Sequence, residues 1–196
     1  MNRQQAQQIE KEAQNMPLEI GFKRLSDNAI SPTKAHATDS GFDLFAAQDV
    51  IIAPGETVVV TTDIAVQLPQ GYEAQVRPRS GITSKTKLRV QLGTIDEQYR
   101  GNIGIIVDNV TLPDFDVTHS SIDGYYAIIE ECHEINTLDG VVYVEKPVYN
   151  GTYLIRKGDK IAQLVVQPIP TTVAVEITGE LEDSGRGVSG FGSSGV

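Results

Sequence analysis

Residues 93–101 read Gly-Thr-Ile-Asp-Glu-Gln-Tyr-Arg-Gly. Two glycines bracket an apolar Ile95, an acid Asp96 and an aromatic Tyr99, while Leu88, Val90 and Leu92 alternate into the stretch and Ile103, Ile105 and Val107 alternate out of it. Alternation on both sides of a glycine-bounded turn is the pattern of a β-hairpin. Glycines let such a ribbon approach a flat or charged group without an intervening Cβ. A carboxylate on it can orient a water, and a tyrosine three residues later can pack against a sugar or a ring. Taken alone, the same residues also fit an ordinary tight turn, where Gly and Asp are favoured for their backbone angles.

The period of two extends in both directions. Leu18, Ile20 and Phe22 alternate with Glu19, Gly21 and Lys23, and short β-like runs recur at 58–60, 64–68, 74–76, 161–166 and 173–177, separated by turn signals such as Pro54-Gly55 and Pro69-Gln70-Gly71. Many short strands at such spacing predict an all-β sandwich or barrel. One short helix is predicted with Ser80 as its N-cap, running through Lys85. Residues 1–16 place Ala6, Ile9, Ala13 and Met16 at helical spacing before Pro17, which fits a short helix or an arm. Residues 185–195 are too glycine-rich to belong to a core.

Composition narrows the class. The net charge of −10 argues against non-specific binding to a nucleic-acid backbone. Much of it is regional: residues 110–150 hold Asp114, Asp116, Asp123, Glu130, Glu131, Glu134, Asp139 and Glu145 against one base, Lys146. Cys132 is the only cysteine, so no internal disulfide forms, and with three histidines no structural zinc spacing exists. Cys132 beside His133 is read as structural, since a nucleophile pair needs a third, orienting group. No apolar run reaches membrane-spanning length and the first residues lack the apolar block of a secretory signal, so a soluble, cytoplasmic protein is expected.

Four further stretches carry chemistry-bearing residues. In Asp39-Ser-Gly-Phe-Asp-Leu44, Asp43 is either a metal-side acid or a turn residue. In Arg77-Pro-Arg-Ser-Gly81, the fork of Arg79, the hydroxyl of Ser80 and the amides at a helix start converge on an anion site. Gln163, inside the apolar run of Lys157-Gly-Asp-Lys-Ile-Ala-Gln163, must find partners for its amide and either reads a substrate or ties strands together. In the tail, Arg186, Phe191 and paired serines among glycines fit a lid that clamps a phosphate and stacks on a base, or else a flexible linker.

In this order the five stretches resemble the five motifs of the trimeric dUTP pyrophosphatases (dUTPases), over nearly everything from residue 18 onward except 110–150. The resemblance implies a jelly-roll-like dUTPase fold (β-clip) in a homotrimer, with three active sites closed between subunits and the tail capping a site on another subunit. It implies hydrolysis of dUTP to dUMP and pyrophosphate, with Mg²⁺ held chiefly by the three phosphates and Asp43 acting on the metal through water. Asp96 would orient the attacking water and accept from the sugar 3′-hydroxyl. Tyr99 would pack under the deoxyribose and leave no room for a 2′-hydroxyl. The backbone of Val90, Gln91 and Leu92 would read the uracil edge, with Gly93 and Ile95 in the same hairpin wall. Arg79, Ser80 and Gly81 would hold the phosphates from a second subunit, with Gln163 nearby. Arg186, Gly192, Ser193 and Ser194 would close on the terminal phosphate while Phe191 stacks on uracil.

Phe42 stands where the family usually has tyrosine, Lys160 where it has arginine, Ser189 where it has glycine and Ser194 where it has threonine. All keep the shape or the donor, so activity is expected to survive; Ser189 fits least, because a glycine's backbone angles are lost there. A dCTP deaminase-like enzyme shares the fold, but the tail and hairpin favour the pyrophosphatase.

The resemblance divides the chain into an N-terminal extension (1–17), a first core part (18–109), an inserted acidic segment (110–150), a second core part (151–180) and a closing arm (181–196). The insertion carries Phe115, Tyr125, Tyr126, Tyr143 and Tyr149, with strand-like runs at 127–129 and 141–144, so a small ordered β excursion is expected. Tyrosines amid acids suit a protein partner with a basic face. Similar insertions occur in dUTPases of phages of Gram-positive bacteria, some of which bind and relieve regulatory repressors. That looser resemblance implies a phage origin and a repressor partner, or a regulatory interaction protein on a dUTPase scaffold. An ordered decoration without a partner is the other reading.

Overall fold

The computed structural model describes residues 5, 17–112, 115–116, 120–121, 124–125, 128–129 and 131–185. The helix or arm expected over 1–16 falls outside them apart from Gln5, and the lid residues 186–196 fall outside them entirely.

Along the chain the strands are β1 (Gly21–Arg24), β2 (Phe42–Phe45), β3 (Val50–Ile52), β4 (Thr57–Thr61), β5 (Ile64–Gln67) and β6 (Tyr72–Pro78). Helix α1 (Ser80–Lys85) follows, then β7 (Leu88–Val90), β8 (Gly93–Ile95) and β9 (Gly104–Asn109). Next come the two-residue strands β10 (Phe115–Asp116), β11 (Ser120–Ser121), β12 (Gly124–Tyr125) and β13 (Ile128–Ile129). The chain continues through β14 (Glu131–Asn136), β15 (Val141–Tyr149), β16 (Tyr153–Ile155) and β17 (Lys160–Pro168). Three sheets, ordered β2-β17-β6-β8, β4-β9-β7 and β15-β14-β16-β3, and the ribbon β1-β5 enclose one core. Leu44, Ile64, Leu88, Ile105, Ile155 and Leu164 are fully buried in it. The expected period is met in β9, where Ile105, Val107 and Asn109 face inward while Gly104 and Ile106 face out. The architecture is an all-β jelly roll with a short helix. Among the described residues no helix is long and apolar enough to cross a membrane.

Several expectations are corrected. The first strand starts at Gly21 and not at Leu18, which is exposed. The central hairpin is not one continuous ribbon. β7 pairs with β9, Leu88 opposite Asn109 and Val90 opposite Val107, whereas β8 leaves to pair with β6, Gly93 opposite Val76 and Ile95 opposite Ala74. The Gln91 N–H still bonds the Ile106 carbonyl at 3.0 Å, and the exchange of partners comes at Leu92, which is 73% exposed. Burying Ile95 between two sheets requires this exit. Ser80 is the first helical residue and not the cap. Arg79 keeps the extended backbone of β6 (φ −97°, ψ 133°), and its carbonyl accepts from Ile82 and Thr83. The run 173–177 is not a strand: Val173, Val175 and Ile177 are exposed and pair with no edge among the described residues. The insertion does contain the expected β structure, as the β14–β15 hairpin and the short pairs β10–β13 and β11–β12.

Two polar corners hold the strands together. Asn109 is buried; its amide donates to the Ile52 carbonyl at 3.0 Å and the Gly151 carbonyl at 2.9 Å, so the chain on either side of the insertion is joined by one side chain. Asp63 turns β4 into β5 with a left-handed backbone, φ 51°. Its carboxylate accepts from Ser26 Oγ and Thr61 Oγ1, each at 2.6 Å.

The Ser26 hydroxyl first, and then Thr61, hold Asp63 below the usual carboxylate range. Thr57 and then Gln91 do the same for Asp108. A folded-state pKa below the unfolded one adds stability that is present above the ordinary value of about 4 and is lost as pH falls through the lowered one. The thermal midpoint, followed by circular dichroism, is therefore expected to drop on acidification below about pH 4. Asp63→Asn and Asp108→Asn should make that drop shallower.

Candidate active site

Strand β17 brings one half of the site together. It pairs with β2 on one edge and β6 on the other, so Gln163 lies opposite Asp43 on one side and Arg77 on the other. Lys160 and Gln163 are three apart and would face opposite ways on a regular strand. The register shift between Lys160 and Ala162 turns Ile161 and Ala162 both toward the core, which leaves Lys160 and Gln163 on the same outer side. Asp43 Oδ1 accepts from Arg79 Nε at 3.1 Å and Asp43 Oδ2 from Lys160 Nζ at 2.9 Å. Arg79 also donates to the Lys160 carbonyl, and Gln163 Nε2 to the Pro78 carbonyl at 3.0 Å. Gly41 makes room for this amide, since a Cβ there would lie 2.7 Å from Gln163 Oε1.

Asp43, Arg79, Ser80, Lys160 and Gln163 line a cavity of about 430 Å³. A second cavity of about 300 Å³ shares Arg79, Ser80 and Lys160 and adds Gly81 and Lys85. The acids on its rim, Asp139 and Asp159, are both engaged by Arg156. Arg79, Lys160 and Lys85 therefore outnumber the remaining acids, Asp39 and Asp43, and the pair of cavities favours an anion.

The hairpin tip builds the other half. Gly93, Ile95, Asp96 and Tyr99 line a cavity of about 160 Å³ with Val76 and Asn102. The Tyr99 N–H bonds the Asp96 carbonyl at 3.0 Å and closes the turn. Glu97 Oε2 accepts from the Gly71 N–H at 2.7 Å and ties the tip to the β5–β6 turn. Asp96 is exposed, with its carboxylate open to a substrate or water. Tyr99 folds back over Gly101, where a Cβ would lie 2.6 Å from Tyr99 Cζ, so a larger residue there would displace the ring. Its hydroxyl donates to the Asn102 carbonyl at 2.9 Å.

Of the three residues expected to read uracil through their backbone, Val90 has its side chain in the core, the Gln91 side chain bonds Asp108 and Leu92 is exposed; none lines this cavity, which the chain enters at the adjoining Gly93. Arg186, Phe191, Gly192, Ser193 and Ser194 lie outside the described residues. Reading the sequence did not single out Lys160, Lys85 or Asn102 as site residues. The adjacent apolar pair Ile161-Ala162 was the signal for the first; nothing marked the other two.

No group of three or more His, Cys, Asp or Glu side chains able to hold a metal exists among the described residues. Asp43, with Asp39 beside it at the same cavity, fits Mg²⁺ carried in by phosphates and does not make an all-protein cage.

Comparison with known proteins shows the family. The dUTPase family model matches residues 27–121 and 140–195. A deoxyuridine 5'-triphosphate nucleotidohydrolase of Clostridioides difficile is 38% identical over 178 residues, covering 90% of this chain and 97% of the relative. The structure of the Staphylococcus bacteriophage 80alpha dUTPase with dUPNHPP is 36% identical, with a TM-score of 0.77 over 91% of this chain and 99% of that one. It comes from work describing phage dUTPases as controlling the transfer of virulence genes by a G protein-like mechanism. The dUTPase from phage phi11 of S. aureus is 34% identical, with a TM-score of 0.72 over 83% of this chain and 97% of that chain, and is described as showing a species-specific insert. A mutant of the same phi11 enzyme is described with a structural Mg(II) ion. With the match running from the strands through both halves of the site, the chain belongs to the dUTPase family.

Proposed function

We propose that this protein hydrolyses dUTP to dUMP and pyrophosphate, and that its active site is completed between copies of the chain. The observation that carries the second part is the division of the site. Asp96 and Tyr99 line one cavity, Arg79 and Gln163 line another, and the first shares no residue with the cavities at Arg79. Asp96 orients a water for in-line attack on the α-phosphorus; as the new bond from water oxygen to phosphorus forms, the bond from the α-phosphorus to the bridging oxygen breaks, and pyrophosphate leaves with that oxygen and its electron pair. Arg79, Ser80, Gly81 and Gln163 hold the phosphates, and the cations neutralise charge as it builds on the leaving group. Tyr99 packs against the deoxyribose, while the backbone of 90–93 with Ile95 faces the base. Asp43 would hold Mg²⁺ through water, and the metal would supply charge neutralisation at the phosphate oxygens. Residues 181–196 act as the closing arm, where Arg186, Gly192, Ser193 and Ser194 meet the terminal phosphate and Phe191 stacks on uracil.

A homotrimer is supported by the surface as well. Val59 and Ile106, cross-strand partners on the outer face of β4–β9, are both exposed, as is Leu92. The alternating arm Val173, Val175 and Ile177 needs an edge that its own described residues do not supply.

A second role, for residues 110–150 beside the enzyme core of 18–109 and 151–180, is supported by one feature. On the β14–β15 hairpin, exposed Tyr143 stacks on His133 with ring centroids 5.6 Å apart, among exposed Glu131, Glu134 and Glu145. Such a surface suits a basic protein partner such as a regulatory repressor, and a phage source fits it.

Pyrophosphate release from dUTP, dCTP, dTTP and UTP with Mg²⁺ tests the activity. Release from dUTP alone is expected, and Asp96→Asn should abolish it while leaving binding of a non-hydrolysable dUTP analogue nearly intact. Near-normal turnover in Asp96→Asn removes the catalytic assignment. For the shared site, refolding equal amounts of inactive Asp96→Asn and Arg79→Ala chains together should restore roughly a quarter of the sites, as random mixing in a cyclic trimer requires. No restoration means both halves act within one chain. For the insertion, deleting 112–148 while the trimer persists should keep hydrolysis and lose capture of host or phage proteins; unchanged capture removes the regulatory role.

A further inference from the structure

Tyr99 is nearly half exposed, so packing alone does not fix its ring. What holds it is a chain of hydrogen bonds leading away from the cavity. The Tyr99 hydroxyl donates to the Asn102 carbonyl, and the side-chain amide of the same asparagine donates to Thr61 Oγ1 at 2.5 Å and Asp63 Oδ1 at 3.2 Å. Thr61 Oγ1 donates in turn to Asp63 Oδ1 and Ser26 Oγ to Asp63 Oδ2, so this one carboxylate gathers three donors. The other end of the 102–103 peptide is tied to the same corner, because the Ile103 N–H bonds the Ile64 carbonyl at 2.8 Å and the Ile103 carbonyl accepts from Thr62 Oγ1 at 2.8 Å. Asp63 sits at φ 51°, a left-handed position that non-glycine side chains seldom occupy and that persists where surroundings over-determine it.

We infer that Asp63, acting through Asn102, is a positioning residue for Tyr99 and sharpens the rejection of ribonucleotides. This rests on the reading in which Tyr99 carries the deoxyribose. A ring that excludes a 2′-hydroxyl by contact must be held to a fraction of an ångström, since a small tilt opens room for one oxygen. Asp63 touches no substrate; it fixes the carbonyl to which the ring is hydrogen-bonded. The anchor is specific to these side chains, because an alanine at 102 keeps both backbone bonds at 103 while removing the link to the corner.

The test is the ratio of kcat/KM for dUTP over UTP, measured on the assembled protein. Asn102→Ala and Asp63→Gly should each lower it about five- to tenfold, the scale of one lost hydrogen bond, mainly through better use of UTP. Glycine accepts the left-handed backbone, so Asp63→Gly removes the carboxylate without strain and decides the matter even where Asn102→Ala folds poorly. Asp63→Asn retains an acceptor and tolerates the same backbone, and should stay within about twofold of the parent. Tyr99→Phe cuts the link at its other end, and adding Asn102→Ala to it should lower the ratio no further. A parental ratio in Asn102→Ala and Asp63→Gly, whatever their melting temperatures, overturns the inference while leaving the dUTPase reading intact. Absence of dUTP hydrolysis by the parent overturns both.

Discussion

Everything at the phosphate half of the site depends on the backbone ladder of one strand. β17 is paired over seven positions with β6, from Ala162 opposite Pro78 to Pro168 opposite Tyr72, and along its first half with β2. Residues that are far apart in sequence, Asp43, Arg79 and Gln163, become neighbours because that ladder leaves them no alternative. The ion pairs of Asp43 with Arg79 and Lys160 are a consequence and not the cause. Both cationic side chains are at least one-third exposed, and pairs of that kind contribute about 0–1 kcal/mol. Their value is orientation: they hold the guanidinium and ammonium in place before any phosphate arrives.

The nucleoside half depends on a different constraint, the change of sheet between β7 and β8. A hairpin that stayed with β9 would have turned Leu92 inward with Leu88 and Val90, and Asp96, of the same parity, with it. By moving to the edge of β6, β8 sets Gly93 against Val76 and carries Asp96 and Tyr99 over the gap between two sheets. The tip is then fixed at two points, Glu97 to Gly71 and Tyr99 to Asn102.

The parts of this arrangement that follow local chemistry were readable in the chain. Short runs rich in β-branched and apolar residues at 58–60, 64–68, 74–76 and 161–166 mark strands, and Gly101 and Asp96 mark a turn because of their backbone preferences. Partner choice was not readable. Leu92 has the same parity as Leu88 and Val90, so nothing local announces that the strand changes sheets there. The run 173–177 has strand chemistry but no edge among the described residues, and a strand is defined by its edge. The Asp63–Asn102 pairing spans 39 residues and uses a left-handed residue that is not glycine, which defeats both the short-range and the glycine-based signals.

The single side chain of Asn109 binds the carbonyls of Ile52 and Gly151, with Gly151 itself in a left-handed turn at φ 86°. The chain therefore departs from the enzyme core and re-enters it at nearly one point. Because the entropy of closing a loop grows only with the logarithm of its length, extra polypeptide between those two residues adds little closure cost. What lies between is not wholly free, since β14 is a strand of the core sheet beside β16 and Ile135 is fully buried; length can change at its exposed turns while Asp43, Arg79, Asp96 and Gln163 keep their places.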